Sequence, residues 1–267
     1  MCDEKRYEVH PSSLPTLNLR EYMAYTINMS GWKVLQVGNL LLTLNGKRDS
    51  LFNYVFRLEG SQKQSEESAV EVLDYLSREK IDVTWVVDSH EKPWEYFLVN
   101  DIGLSQPTVM KKTFLKIPKI AYSSTGYENL DLEIVNTDAS LALLGELAEK
   151  IFYCNSSDLA ILLKGLTKQG QSRLRFFIVK FLGAAVGVCA MYIHNEVVGL
   201  YSDGVLPEYR NMGIAKEAVL RRLHIAAREQ GCKYAVAQCN EQSVNLYRKL
   251  GFKVTGNLFL YSFLAVE

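Results

Sequence analysis

The sequence predicts an α+β fold made of two units, each a mixed, mostly antiparallel sheet flanked by helices. Hydrophobic spacing in the second half gives the order strand, two helices, three strands, helix, strand, helix, strand, which is typical of a layered α+β domain. The first half repeats a shorter version of that order, and each half ends a helix at a Gly. A chain of 267 residues, 48% of them hydrophobic, is long enough for two such units.

Hydrophobic spacing and turn residues define the elements of the first half. Asn45-Gly46 is a strong hairpin signal, and Ser30-Gly31 ends the first helical segment. Pro93 suits the first turn of a helix. The predicted elements are a helix at Leu17–Met29, strands at Lys33–Leu44 and Phe52–Leu58, a helix at Glu66–Lys80, a strand at Asp82–Asp88, a helix at Pro93–Ile102 and a strand at Thr108–Ile117.

The segment 118–129 (PKIAYSSTGYEN) loses periodicity and gains Ser, Thr and Gly, so we place the boundary between the units there. This division gives an N-terminal domain at 1–120 and a C-terminal domain at 130–267. The elements predicted after the boundary are a strand at Leu130–Val135, helices at Asp138–Phe152 and Ser156–Lys168, strands at Leu174–Phe181, Ala185–Ile193 and Val197–Val205, a helix at 213–229, a strand at Lys233–Gln238, a helix at Glu241–Leu250 and one or two strands from Phe252 to Ala265.

Composition excludes several classes of protein. Lys plus Arg and Asp plus Glu both number 30, so bulk charge gives no sign of nucleic acid or an anionic membrane as a partner. The five Cys residues form no CxxC pair and the four His residues show no metal spacing, so we expect neither a disulfide framework nor a metal site. The charged N-terminus lacks a following apolar region, and the longest uncharged apolar run, Phe181–Ile193, is too short to span a bilayer. We expect a cytoplasmic protein.

The turn after the strand Val197–Val205 is the chain's clearest functional signal. It contains Arg210 and Gly213, and a long amphipathic helix follows without a gap. The first N–H groups of such a helix have no intrahelical partner, and the positive end of the helix dipole lies behind them. The turn is therefore predicted to bind an anion such as a pyrophosphate.

Two motifs resemble the GNAT superfamily of acyl-CoA-dependent N-acyltransferases. Arg210-Asn211-Met212-Gly213-Ile214-Ala215 is similar to the superfamily signature of Arg or Gln, two residues, Gly, one residue, then Gly or Ala. The stretch from Asn240 to Phe252 (NEQSVNLYRKLGF) resembles a second superfamily motif, separated from the first by one helix and one strand. Together the two are specific, and the resemblance covers roughly residues 130–265.

The resemblance implies a coenzyme site and a general acid. It places Tyr247 at the position of the acid that protonates the departing thiolate, and Asn240 against the coenzyme arm. The base is open: Glu196 begins the signature strand, Asp203 lies near its end, and a water relay is an alternative. Backbone implied to bind acetyl-CoA comprises, for the pantetheine, Gly204, Val205 and Leu206, and, for the pyrophosphate, Arg210, Asn211, Met212, Gly213, Ile214 and Ala215.

The first half is a faint copy of the second that lacks these motifs. With Ala69-Val70 aligned on Ala218-Val219, the signature falls on Ser61–Glu66, which has no Gly and ends in a carboxylate. We therefore interpret the first half as a degenerate, non-catalytic GNAT-like unit. It is expected to cover the sheet edge of the active half and to wall the acceptor pocket.

The predicted function is transfer of acetyl from acetyl-CoA to a primary amine of a small or amino-acid-like acceptor by direct attack in a ternary complex. The alternatives are transfer of a longer acyl group, acylation of a protein amine, and a CoA-binding regulatory module without turnover. The predicted acceptor loop, residues 152–156, has two aromatics and no acidic cluster, and Cys154 in it is read as an apolar filler. We expect a monomer, with a dimer as the alternative.

Overall fold

The computed structural model describes residues 10–47, 52–118, 128–153 and 173–265, and the account below refers to those residues. The helices are α1 (Leu14–Met29), α2 (Gln62–Glu79), α3 (Lys92–Asn100), α4 (Asp138–Phe152), α5 (Ile214–Gln230) and α6 (Val244–Lys249). The strands are β1 (Lys33–Val37), β2 (Leu40–Leu44), β3 (Tyr54–Arg57), β4 (Val83–Asp88), β5 (Thr108–Lys116), β6 (Leu130–Ile134), β7 (Leu174–Phe181), β8 (Ala184–His194), β9 (Val197–Val205), β10 (Tyr234–Cys239) and β11 (Lys253–Phe263). The helix predicted at Ser156–Lys168 lies outside the described residues, as does Cys154.

The strands form one mixed sheet in the order β1-β2-β3-β4-β11-β5-β10-β9-β8-β7-β6. Pairing is antiparallel except between β3 and β4 and between β9 and β10, which are parallel. The α+β class predicted from the sequence is confirmed. The order strand, strand, strand, helix, strand, helix, strand occurs in both halves, as β1 to β5 and as β7 to β11.

The last strand of each half lies against the other half. β5 pairs with β10, and β11 pairs with both β4 and β5. The chain division at 1–120 and 130–267 is therefore crossed by the sheet at β5 and β11. Backbone hydrogen bonds join the two halves directly, which makes this a shared sheet rather than two sheets in contact.

Alternating side chains separate the two faces of the sheet. One face is covered by α1 and α4, and Tyr201 and Val86 lie in its core. On the opposite face, Leu200 packs under α5 and α6, and Trp85 packs under α2 and α3. The helix α1 contacts β8, β9, β10 and β5, so it lies across the junction between the halves.

Two predicted boundaries differ from the structure for local reasons, and one predicted turn is confirmed. The strand predicted at Lys33–Leu44 is a hairpin of β1 and β2, because Gly38 adopts a left-handed φ of 53° and reverses the chain. α2 begins a turn earlier than predicted, since the Ser61 hydroxyl accepts the N–H of Gln64 (3.2 Å) and caps the helix. The turn predicted within 181–193 is present at Gly183, between β7 and β8.

Candidate active site

The strands β9 and β10 separate partway along their length. They pair at three positions, from Tyr234 with Val197 to Val236 with Gly199. Beyond these, β9 continues against β8 and β10 continues against β5. This opens a cleft between the carboxyl ends of two parallel strands, where backbone polar groups of β9 are left for a ligand.

A bulge in β9 reorients the end of that strand. Val188 pairs with Gly204 but Ala190 pairs with Tyr201, so β9 has one residue more than β8 across this step. Ser202 takes a φ of 54° at the bulge. In a regular strand, Tyr201 and Asp203 would share one face. The bulge separates them: Tyr201 is in the core under α1, whereas Asp203 contacts residues of α5 and α6.

Asp203 joins Tyr247 of α6 to Arg222 of α5. The Tyr247 hydroxyl donates a short hydrogen bond to Asp203 Oδ2. Arg222 Nη2 forms an ion pair with Asp203 Oδ1 at 2.5 Å, and Arg222 Nη1 donates to the carbonyl oxygen of Ala190 (2.6 Å). The Arg222 side chain has no exposed surface and Tyr247 is 3% exposed. These three side chains, which we call the Asp203 network, meet at the part of β9 that no longer pairs with β10.

The surroundings of Tyr247 keep its hydroxyl protonated. Burial is the largest cause, and the Asp203 charge and the hydrogen bond to it act in the same direction, so the pKa of Tyr247 is raised well above 10. The nearby Arg222 charge opposes this and is outweighed. The edge of the Phe252 ring packs on the Tyr247 ring with centroids 5.1 Å apart, which fixes the orientation of the phenol.

The predicted anion turn connects the end of β9 to α5. A 3₁₀ turn at Pro207–Tyr209 is followed by Asn211 at φ 64° and by Gly213 at φ 78°, both left-handed. Gly213 is the N-cap residue, and no side chain in the part of the chain that the structure describes is recorded as capping the helix. The N–H groups in the first turn of α5 therefore remain the predicted anion site. Arg210 Nε donates to the carbonyl oxygen of Val205 (3.0 Å), which braces the turn against β9.

The end of α4 packs on Gly204. A Cβ on this residue would lie 2.3 Å from Ile151 Cγ2 and 2.7 Å from Phe152 Cζ. The resemblance implied that backbone of Gly204 binds the pantetheine. In the structure the space above Gly204 is occupied by these two side chains, so the glycine is required by the packing of α4.

Asn240 caps the turn that leads into α6. Its Oδ1 accepts hydrogen bonds from the N–H and the hydroxyl of Ser243, both at 2.8 Å. The residue is exposed beside the end of β10. The proposed contact with the coenzyme would therefore have to use the amide NH₂ of Asn240 rather than its oxygen.

Glu196 lies away from the other candidate residues. It is in the turn that precedes β9, where it forms an ion pair with Lys233 at 2.5 Å. Six strand residues separate it from Asp203, a distance of roughly 20 Å at the usual rise of a strand. The structure thus brings Asp203, and not Glu196, to Tyr247, and the role of Glu196 as the base for the amine stays a prediction.

Residues 144–252 match the family model described as Acetyltransferase (GNAT) family. This segment of the chain is therefore a GNAT acetyltransferase domain by its match to the family model. The match spans α4 to the Tyr247–Phe252 contact, so it contains the bulged strand, the anion turn and the Asp203 network. The enzyme class is accordingly N-acetyltransferase. No curated protein matches the chain.

Solved GNAT structures share the fold over nearly the whole chain. A GCN5-related N-acetyltransferase from Kribbella flavida superposes with a TM-score of 0.71 at 12% identity, covering 96% of each chain. One from Sphaerobacter thermophilus gives 0.64 at 12% identity, covering 97% of this chain and 95% of the other. A tandem GNAT protein from the clavulanic acid biosynthesis pathway gives 0.62 at 13% identity, covering 85% and 79%. At these identities the likeness concerns the fold.

The helix α1 covers the acetyltransferase domain on the face opposite α5. Asn18 accepts a hydrogen bond from the Tyr201 hydroxyl (2.6 Å), and Tyr22 stacks on the Tyr201 ring with centroids 4.1 Å apart. Gln238 at the end of β10 donates to the carbonyl oxygen of Pro15 (2.7 Å). The first half thus contributes directly to the wall next to the cleft.

The sequence did not identify Arg222 as a residue of the site, nor Asp203 as its partner. Arg222 follows Arg221 on an amphipathic helix, and both read as surface charges, although Arg221 pairs with Glu217 and Arg222 is buried.

Among the residues described, no group of three His, Cys, Asp or Glu side chains is placed to hold a metal ion. No helix within the same ranges is long and apolar enough to cross a bilayer.

Proposed function

We propose that this N-acetyltransferase moves an acetyl group from acetyl-CoA to a primary amine of a small or amino-acid-like molecule. The observation that carries the proposal is the cleft between β9 and β10. It has an uncapped helix start at Gly213 on one side and the Tyr247 hydroxyl on the other. One site thus offers a group for a pyrophosphate and a proton donor at the far end of an extended ligand.

The coenzyme is proposed to lie along the end of β9. Backbone of Arg210, Asn211, Met212, Gly213, Ile214 and Ala215 would hold the pyrophosphate. Backbone of Gly204, Val205 and Leu206 would pair with the pantetheine arm as a neighbouring strand does. Asn240 would bind the same arm through its amide NH₂. This path ends beside the Asp203 network, which puts the thioester within the reach proposed for Tyr247.

The transfer is proposed to proceed by direct attack in a ternary complex. The amine nitrogen bonds to the thioester carbonyl carbon, the tetrahedral intermediate expels the thiolate as the C–S bond breaks, and Tyr247 gives the thiolate its proton. The amine attacks in its neutral form, and the proton that its nitrogen loses on forming the amide passes through water and restores Tyr247. Prior deprotonation of the acceptor ammonium releases one further proton to solvent, so the reaction of the ammonium form yields one proton overall. A backbone N–H at the end of β9 that meets the developing oxyanion would contribute a few kcal/mol, about 3 in comparable sites.

The first half is proposed to be a degenerate GNAT-like unit at 1–120, paired with the catalytic unit at 130–267. Its repeated element order and the likeness to a tandem GNAT protein support this reading. Because its last strand lies in the shared sheet, it would occupy the place a second subunit could take, and we propose a monomer.

Release of CoA in the presence of an amine tests the function. Purified protein is incubated with acetyl-CoA and a panel of small amines, amino acids and peptides, and free thiol is followed with DTNB. We expect acceptor-dependent release for at least one small amine. Release with longer acyl-CoA or with peptide amines would favour the corresponding alternative, and coenzyme binding without release on any acceptor would favour a regulatory module.

A further inference from the structure

We propose that Asp203 and Arg222 are positioning residues for Tyr247: the carboxylate holds the phenol hydroxyl in the cleft, and the buried guanidinium holds the carboxylate. This inference rests on the proposed function, since it assigns how the proton donor of that site is kept in place. It concerns two residues that the superfamily motifs in this chain do not contain.

The contacts of Asp203 argue against its use as the base. Oδ2 accepts from the Tyr247 hydroxyl and Oδ1 pairs with Arg222 Nη2, so both carboxylate oxygens are committed to the network. A base for the amine needs an oxygen directed at that amine. The alternative considered from the sequence, a catalytic Asp203, is thereby replaced by a role through Tyr247.

Arg222 is held by the fold independently of Asp203. Its Nε donates to the carbonyl oxygen of Ala218 (3.2 Å) within α5, and its Nη1 donates to Ala190 (2.6 Å) on β8. The guanidinium therefore links the helix that starts at the anion turn to the strand opposite the bulge. It is a rigid support, since the whole side chain is buried and its planar donors are fixed in direction.

The bulge in β9 is what allows the contact. Without the extra residue, strand alternation would direct Asp203 towards α1, away from Tyr247. When Tyr247 turns its hydroxyl towards a thiolate, Asp203 loses one partner but keeps Arg222. The carboxylate therefore stays in place, and the hydroxyl can return after transfer.

Tyr247 faces a small set of charged and titratable groups, all of which must be considered in a test of pH dependence. They are Asp203 from β9, Arg222 from α5 and Cys239 from β10. Removal of the Asp203 charge leaves Arg222, which favours the tyrosinate. Asp203→Asn should therefore lower the pKa of Tyr247. Substitution of a carboxylate that does not contact Tyr247 should leave that pKa unchanged.

The test is the ionisation of Tyr247 itself, read by NMR of protein labelled at tyrosine Cζ, with the signal assigned by its loss in Tyr247→Phe. We expect Asp203→Asn to ionise Tyr247 at a hydroxide concentration at least about tenfold lower than in the wild type. Asp88→Asn is the matched control, because Asp88 is another buried carboxylate paired with a cation, Lys112, at 2.5 Å. It should leave the Tyr247 signal unmoved.

Turnover gives the second readout. We expect Asp203→Asn to lower kcat about tenfold with little change in acetyl-CoA affinity, and to move the alkaline limb of the kcat profile to lower pH. If Asp203→Asn fails to fold because Arg222 is left unpaired, Asp203→Asn with Arg222→Met removes both charges and tests the same loss of positioning. An unmoved Tyr247 signal in folded Asp203→Asn, or wild-type kcat in either folded variant, would overturn the proposal.

The two readouts separate this inference from the proposed function. If no acceptor supports turnover in the wild type, the proposed function fails, while the NMR titration still tests the contact between Asp203 and Tyr247. If turnover occurs and the Tyr247 signal ignores Asp203, the function stands and the positioning role is wrong.

Discussion

The two halves of the chain place a helix start at equivalent points, after β9 and after β3, but they fill these points differently. In the second half the helix start at Gly213 has no side-chain cap. In the first half, the hydroxyl of Ser61 caps α2. Arg57 also crosses this region, where it donates to Ser65 Oγ (2.7 Å) and pairs with Glu91 (3.1 Å). Among the described residues, no side chain caps the helix start at Gly213, whereas Ser61 caps the start of α2.

This difference has a physical explanation. An N-cap side chain and a bound anion compete for the same N–H groups, so a helix that is well capped has little left to offer a phosphate. Gly213 supplies no cap and its left-handed φ turns the chain without a side chain. Ser61 stabilises its helix at the expense of any such site. Placing the same residue at both helix starts tests whether only the start at Gly213 binds the coenzyme.

The largest effect is expected from aspartate at the two helix starts. Gly213→Asp puts a carboxylate where the pyrophosphate should sit, and we expect acetyl-CoA affinity to fall about 10³-fold or more, from lost backbone contacts and charge repulsion. Ser61→Asp keeps a good N-cap residue and should change affinity less than about twofold. Calorimetric titration measures both, and circular dichroism checks that each variant is folded. Equal losses in the two variants would contradict the comparison.

The second-largest effect is expected from the buried ion pair between Lys112 on β5 and Asp88 on β4. Lys112 crosses β11 to reach Asp88, donates to the Ser12 carbonyl oxygen (2.8 Å), and has no exposed surface. We expect Asp88→Asn to lower the free energy of unfolding by about 3 kcal/mol at neutral pH, since it leaves a buried cation unpaired. Urea unfolding measures this. Glu229→Gln, which removes an exposed partner of Arg175, should cost less than about 1 kcal/mol.

The same pair gives a pH dependence. Burial alone would raise the pKa of Asp88, but hydrogen bonds from Lys112 and Thr16 together with the Lys112 charge lower it overall. A lowered carboxyl pKa contributes stability that is present above the unfolded value, about 3.9, and is lost as pH falls through the folded value. The difference between wild type and Asp88→Asn should therefore shrink in acid. A difference that stays constant with pH would contradict this account of the pair.

A somewhat smaller effect is expected from removal of the Tyr247 hydroxyl. Tyr247→Phe should lower kcat about 10²-fold, because the leaving thiolate loses its proton donor, with acetyl-CoA affinity nearly unchanged. Tyr261→Phe is the matched control: Tyr261 lies on β11 where that strand packs against the first half, is also buried and donates to a carboxylate, Glu95 Oε1 at 3.0 Å. It should keep wild-type turnover. Unchanged kcat in Tyr247→Phe would remove the acid role.

The smallest effect is expected at Gly204. Ala at this position would place its Cβ against Ile151 and Phe152, and overpacking of this kind costs about 2 kcal/mol. Chemical denaturation of Gly204→Ala measures the cost. Wild-type stability would show that the end of α4 yields freely, and would reopen the interpretation that Gly204 is needed by the coenzyme alone.

Local signals in the sequence predicted much of the fold and part of the site. The α+β class and the turn at Gly213 followed from short-range patterns. The Asp203 network did not, because one bulge residue, Ser202, changes which face Asp203 occupies. The burial of Arg222 was hidden for a related reason: it is one of two adjacent arginines, and only tertiary contacts distinguish them.

The sequence also did not predict that β5 and β11, the last strands of the two halves, each pair with a strand of the other half. Both were predicted as strands, but pairing partners depend on contacts between residues far apart in the chain. Gly256 lies where Lys112 crosses β11, and a Cβ there would be 3.1 Å from Lys112 Cε. Neither residue signals this crossing by its local pattern. The sequence likewise left Glu196 and Asp203 as alternatives, since position along β9 and not residue type decides which acid contacts Tyr247.

We infer that the chain holds one coenzyme site and that this site lies at the Gly213 turn. The most direct test is the binding stoichiometry of acetyl-CoA to the wild-type chain, measured by calorimetric titration at known protein concentration. We predict one acetyl-CoA per chain, and none per chain in Gly213→Asp. Two acetyl-CoA per chain would show a second coenzyme site, and one acetyl-CoA that still binds Gly213→Asp would show that the site does not lie at the Gly213 turn.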